Sequence, residues 1–151
     1  MSMRNYKVKE LGRGAFGTVV LVSQGSAKYC VKQVDVRGVP RREREAALKE
    51  ASILHRFDHP NIVNMLGRFA MFYTFFIVVA HIDGKSLHEL IHDGGPLPAA
   101  SVRKILGQLV QGLGYAHDSE IIHRDIKPGN VMITRDGQIK LMDFGLAKPT
   151  N

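Results

Sequence analysis

The 151-residue chain contains one cysteine, Cys30. That excludes an internal disulfide and any structural zinc site built on cysteines. Long apolar runs are also lacking. The longest, MFYTFFIVVAHI at residues 71–82, holds polar groups and falls short of the roughly 20 residues that a spanning helix needs. The N-terminus, MSMRNYKVKELG, has no apolar core of a secretory signal. Internal repeats and low-complexity tracts are absent. These absences predict a soluble, cytoplasmic protein with no membrane attachment. Acidic residues are outnumbered, 14 against 21 basic, for a net charge of +7. The basic excess gathers at Arg37, Arg41, Arg42 and Arg44, which reads as the solvated start of a helix. No aromatic platform or zinc module accompanies it, so nucleic acid is not an expected partner. An anionic ligand such as a nucleotide phosphate fits the charge.

What is present is an ordinary folded composition, 44% hydrophobic and 23% charged. The first third reads as strands: YKVKEL and TVVLV flank a glycine-rich turn, and KYCVKQV follows. The pattern turns helical from Pro40 to Phe57, and apolar strands are expected near 62–69 and 75–80. SLHELIH reads as a short helix stopped by DGG. Residues 101–117 form a long amphipathic helix with Val102, Ile105, Leu106, Leu109, Val110, Leu113 and Ala116 on one stripe. NVMITRDGQIKLMD reads as a hairpin around Asp136-Gly137. Strands first and helices later predict an α+β fold with two lobes, residues 1–81 and 82–151, hinged near Ala80–Gly84.

Several stretches could carry chemistry. HELIH has His-Glu-x-x-His spacing, which on a helix is a zinc-protease pattern, with His88 and His92 as ligands and Glu89 as base. In GRGAFGTV, Gly12, Gly14 and Gly17 stand between two strands, where backbone without Cβ can approach phosphates. Lys32 shares a strand face with Cys30 and Val34. A lysine on an inner face needs an anion. Glu50, among Ala47, Ala51 and Leu54 on the helix's apolar stripe, is the expected partner. A two-residue Asp136-Gly137 turn would pair residue 135 with 138 and, down the ladder, Asn130 with Asp143. An amide oxygen and a carboxylate together are hard ligands suited to Mg²⁺. Asp125, in HRDIKPGN, has Arg124 and Lys127 as neighbours, so it should stay ionised.

Together the pieces resemble the protein-kinase family: GRGAFGTV, YCVK, HRDIKPGN and DFG stand in the family's order and spacing. The resemblance covers essentially the whole chain. It implies a two-lobed kinase fold, with a complete N-lobe of antiparallel sheet plus one helix, and a partial helical C-lobe. It implies transfer of phosphoryl from ATP with Mg²⁺ to a protein Ser/Thr hydroxyl. Gly12, Gly14 and Gly17 would cover the phosphates, and Lys32 would bind them while pairing with Glu50. Asp125 would be the catalytic base, and Lys127, a mark of the Ser/Thr-specific loop, would neutralise the γ-phosphate. Asn130 and Asp143 would hold Mg²⁺. Val19, Cys30 and Met132 would line the adenine site, with Val79 as gatekeeper and Ala80 to Ile82 as hinge. Leu54, Met65, His123 and Phe144 would stack as a spine. The stretch VKQVDVRGVPRREREAALKEASIL is similar to the NIMA-related branch.

Three departures stand out. Cys30 replaces a small alanine over the adenine, where the Lys32 ammonium should favour its thiolate. Ala80 replaces an acidic hinge residue. The sequence stops at DFGLAKPTN, before the rest of the activation segment and the later helices that carry the peptide platform. A truncated catalytic domain is therefore expected, with self-association through exposed C-lobe surface. The alternative is a non-catalytic nucleotide-binding or interaction fragment. In the kinase reading HELIH loses its zinc. Leu87, Leu90 and Ile91 would be the buried stripe, and Ser86 and Glu89 a capping box. Pro98 stands where a third histidine ligand belongs.

Overall fold

The computed structural model describes residues 6–14, 17–144 and 147–149. The chain divides into two compact units, residues 1–55 with 65–81, and residues 56–64 with 82–151.

The first unit is an antiparallel sheet with one helix. Its strands are β1 (Lys7–Gly14), β2 (Gly17–Gln24), β3 (Ala27–Asp35), β4 (Met65–Met71) and β5 (Thr74–Ala80), in spatial order β1-β2-β3-β5-β4. Tight connections make β1–β2, β2–β3 and β4–β5 antiparallel pairs, and β3 pairs antiparallel with β5 across the segment that holds α1 and β4. Gly17 is required where β2 begins. Its φ is +119°, and a Cβ there would collide with the Gln33 carbonyl on β3. Helix α1 (Arg41–Leu54) starts behind Pro40 without a side-chain cap, and an Arg41–Glu45 pair at 2.7 Å spans its first turn. Val20, Val34, Ala51, Ile53, Leu54 and Ile77 form this unit's core.

The helix ends three residues earlier than its sequence pattern predicts, because Phe57 is buried in the second unit. There its ring meets Tyr115 at 5.8 Å and Phe144 at 5.1 Å. The strand expected from residue 62 also starts later, at Met65. Ile62 instead makes a parallel bridge to Leu141 of the second unit.

The second unit contains β6 (Gly84–Ser86), α2 (Leu87–Gly94), α3 (Ala99–Asp118), β7 (Ile121–Ile122), a single 3₁₀ turn (Pro128–Asn130), β8 (Val131–Thr134), β9 (Ile139–Leu141) and β10 (Lys148–Pro149). β6, β8 and β9 form one small antiparallel sheet, and β7 pairs with β10. Neither β6 nor the β7–β10 ribbon has a sequence signal, since two or three residues are too few to show alternation. The apolar stripe of α3 is divided. Ile105 and Ala116 are buried, whereas Val102, Leu106 and Val110, one turn apart in series, are exposed. Among the described residues no helix is long and apolar enough to cross a membrane.

Candidate active site

Strand register gathers the residues of the first unit. Val19 on β2 stands opposite Lys32 on β3, which stands opposite Ile77 on β5. Directly opposed residues share a sheet face. Two residues on, Leu21, Cys30 and Val79 form the next row of the same face. Gly12 on β1 is Val19's other neighbour, so the glycine-rich turn lies in line with Lys32. Gly14 and Gly17 close that turn as a facing pair; the intervening Ala15 and Phe16 lie outside the described residues. Val19, Cys30 and Lys32 are half-buried. Ala80 ends β5 opposite Tyr29, on the other face. The expected partner of Lys32 cannot be placed beside it, because the Glu50 side chain lies outside the described residues.

Cys30 departs from expectation. Burial pushes its thiol above the ordinary value. Desolvation of the thiolate outweighs the neighbouring ammonium.

In the second unit the catalytic candidates are joined by hydrogen bonds. Asn130, in the 3₁₀ turn and 7% exposed, donates through Nδ2 to the Asp125 carbonyl at 2.9 Å and to Asp125 Oδ2 at 3.0 Å. Lys127 Nζ lies 3.3 Å from the same Oδ2. One oxygen of the Asp125 carboxylate, Oδ2, is thus met by both an amide donor and an ammonium. The His123 ring holds the loop through two bonds: the Asp125 amide donates to His123 Nδ1 at 3.1 Å, and His123 Nε2 meets the Met142 carbonyl at 2.8 Å. A carbonyl can only accept, so Nε2 carries the proton and Nδ1 is the acceptor. His123 is buried, with its ring edge-on to Phe144 at 4.6 Å. These two are the members of the expected spine that fall in this unit; Leu54 and Met65 belong to the first. Arg124 and Asp143 both adopt left-handed backbone, φ 66° and 52°, strain of about 1–3 kcal/mol each that the surrounding bonds must hold.

The pairing of Asn130 with Asp143 is a correction. β8 and β9 pair Val131 with Leu141, Met132 with Lys140, and Ile133 with Ile139. This is one residue out of the register that a two-residue turn imposes. The connection is a three-residue loop, Arg135-Asp136-Gly137. Thr134 N donates to Gln138 O at 2.9 Å, and Gly137 takes φ +84°. A left-handed glycine at the last loop position is the usual closure of a three-residue hairpin. Asn130 therefore faces Met142, whose amide donates to its carbonyl at 2.8 Å, and Asp143 follows as an exposed residue. Met132 sits half-buried on β8 between Ser86 and Lys140, and Ile82 is half-buried at the start of this unit's second segment.

The HELIH stretch folds as a capped helix. The Glu89 carboxylate accepts from Ser86 N at 2.7 Å and Ser86 Oγ at 2.9 Å, while Glu89 N donates to Ser86 Oγ at 3.1 Å. The Ser86 backbone donor holds this carboxyl below its ordinary range. Glu89 is thus occupied as a cap. His88 and His92 are exposed, with ring centroids 6.4 Å apart. The stripe is shallower than expected: Leu87 and Leu90 are half-buried and Ile91 is exposed.

Sequence reasoning missed Asn61 and Gln108. Asn61 is 4% exposed and donates through Nδ2 to Ile139 O at 3.0 Å and to Gln108 Oε1 at 3.1 Å. The signal was available for Gln108, an amide set between apolar positions of an amphipathic helix. Asn61 resembles an ordinary turn residue and gave none.

Residues 6–151 match the protein kinase domain family. Serine/threonine-protein kinase Nek5 of Homo sapiens is 38% identical, over 95% of this chain and 21% of that protein. Cytokinesis protein sepH of Emericella nidulans is 36% identical, over 98% of this chain and 11% of that protein. Serine/threonine-protein kinase 36 of Mus musculus is 36% identical, over 97% of this chain and 11% of that protein. The chain therefore spans well under a third of the length of these curated relatives.

Proposed function

Because the chain belongs to the protein kinase family, we propose that it binds ATP with Mg²⁺ and serves transfer of the γ-phosphoryl group to a Ser or Thr hydroxyl of a protein. The observation that carries this reading is the bonding of Asp125. Its carboxylate is held by Asn130 Nδ2 and flanked by Lys127, so one oriented base stands beside one cation. Asp125 accepts the hydroxyl proton as the acceptor oxygen forms its bond to phosphorus. The bond from phosphorus to the β–γ bridging oxygen breaks, and ADP leaves. Lys127 offsets charge on the group in transit. Lys32 and the backbone of Gly12, Gly14 and Gly17 hold the nucleotide phosphates, with Glu50 as the counter-charge of Lys32. Val19, Cys30 and Met132 pack the base, and main-chain groups of Ala80 to Ile82 supply its polar contacts.

The donor set fits a hard cation. Asn130 commits its amide nitrogen to Asp125, which leaves Oδ1 as the atom that would hold Mg²⁺ together with the Asp143 carboxylate. When bound, the ion neutralises phosphate charge. Positioning of the reactants is the main contribution of such a site, on the order of 7–11 kcal/mol of barrier. A cytoplasmic setting belongs to the same reading.

Calorimetric titration tests it. ATP affinity should rise with Mg²⁺, Lys32→Ala should weaken binding with or without the metal, and Asp143→Ala should remove the metal's effect. Affinity unchanged in both variants would refute these assignments.

A further inference from the structure

Strand β9 is three residues long, yet it carries the chain into Asp143, so something must fix it along its length. Its inner edge pairs with β8. Its outer edge is met by two side-chain amides acting as a strand would. Gln108 Oε1 accepts from Ile139 N at 2.9 Å, and Asn61 Nδ2 donates to Ile139 O at 3.0 Å. Next along, Leu141 N donates to Asn61 O at 2.8 Å, and Val63 N donates to Leu141 O at 3.0 Å. Gln108 and Asn61 also bond each other at 3.1 Å, and Gln108 Nε2 donates to Gly137 O in the hairpin loop at 2.9 Å. Gln108 thereby grips the loop and the strand at once.

That double grip matters because the hairpin has a second register open to it. An Asp-Gly pair is the strongest signal for a two-residue turn, and adopting one would shift β9 by a residue. A one-residue shift turns every β9 side chain to the opposite face. With the three-residue loop, Gly137 O and Ile139 N both meet the Gln108 side chain.

We propose that Gln108, braced by Asn61, is a positioning residue that selects the hairpin register and so sets the metal-binding carboxylate of Asp143. The proposal rests on the nucleotide reading above. Neither amide touches nucleotide or metal in this scheme; both act through β9.

The test compares ATP affinity in Mg²⁺ with ATP affinity in EDTA for the full chain. The variants are Gln108→Met, nearly equal in volume but without polar atoms, and Ser86→Ala, a purely structural loss on α2. Loss of a residue that orients a metal ligand lowers metal affinity by about 10–100-fold. The Mg²⁺-dependent gain should therefore fall by at least about tenfold in Gln108→Met, with affinity in EDTA and the Ser86→Ala gain both unchanged. Faster amide exchange at Ile139 in the same variant should accompany the fall. A full Mg²⁺ gain in Gln108→Met overturns the proposal, as does equal loss with and without metal. Should Gln108→Met not fold, Gln108→Glu, which keeps the acceptor for Ile139, is judged by the same ratio. A wild-type chain that gains nothing from Mg²⁺ overturns the nucleotide reading itself, and is recognised before any variant is measured.

Discussion

Asn130 grips Asp125 twice with a single nitrogen, once at the backbone carbonyl and once at the carboxylate. A buried amide that bonds both parts of one residue fixes that residue's side chain relative to its own main chain. Asn130→Ala removes both bonds and strands the Asp125 carbonyl, at a cost of about 1–3 kcal/mol. Urea unfolding should show that loss. Under the proposed function, the Mg²⁺ dependence of ATP binding should fall with it.

Gly17→Ala should be more costly than an exposed turn substitution. It combines a positive φ with a collision against Gln33 O, and left-handed strain alone is about 1–3 kcal/mol. Gly12→Ala is the control, since a Cβ there meets nothing within 4 Å. Thermal unfolding of the two variants should rank them in that order.

Glu89 gives a pH dependence whose direction is fixed. Its carboxyl is held below its ordinary value of 4.5 by the Ser86 donors, so ionised Glu89 stabilises the fold above that pH. The stabilisation is lost as pH falls through the lowered folded value. Glu89→Ala should therefore be less stable than wild type at neutral pH, and the gap should narrow in acid below about 4.5. Ser86→Ala should cost about 1 kcal/mol by removing the cap. Circular dichroism melts across pH 3–7 measure both.

Cys30 should alkylate slowly at neutral pH. Its thiol is raised above 9.0 by desolvation, and only the thiolate attacks. Iodoacetamide should react faster with the urea-unfolded chain than with the folded one at pH 7.5, and the folded rate should still climb beyond pH 9. A folded rate equal to the unfolded one at neutral pH contradicts the assigned burial.

Most of the candidate site could be picked out because its signals are local: glycines between strands, Lys32 in an apolar strand, and Asp125 to Asn130 in one loop. The strand alternation of 18–22 and 28–34 and the long period of α3 gave the elements for the same reason. Errors arose where distant chain decides. The Asp136-Gly137 pair argues for a two-residue turn, and Gln108, nearly thirty residues upstream, holds the three-residue loop instead. Phe57 continues a helical pattern but is drawn away by Tyr115 and Phe144. Ile91 fits an apolar stripe, and nothing in the sequence says that the surface beneath α2 stops short of it.

Within the second unit, Met142 joins two of the candidate segments through its main chain. Its amide donates to Asn130 O and its carbonyl accepts from His123, so one residue's peptide groups tie the His123–Asn130 loop to the strand that leads into Asp143. An alanine scan would pass over this position, because alanine carries the same peptide. The contact becomes visible only when the backbone itself is edited, as in an amide-to-ester replacement at residue 142. Site-directed libraries would thus score as tolerant a place where the main chain has no substitute.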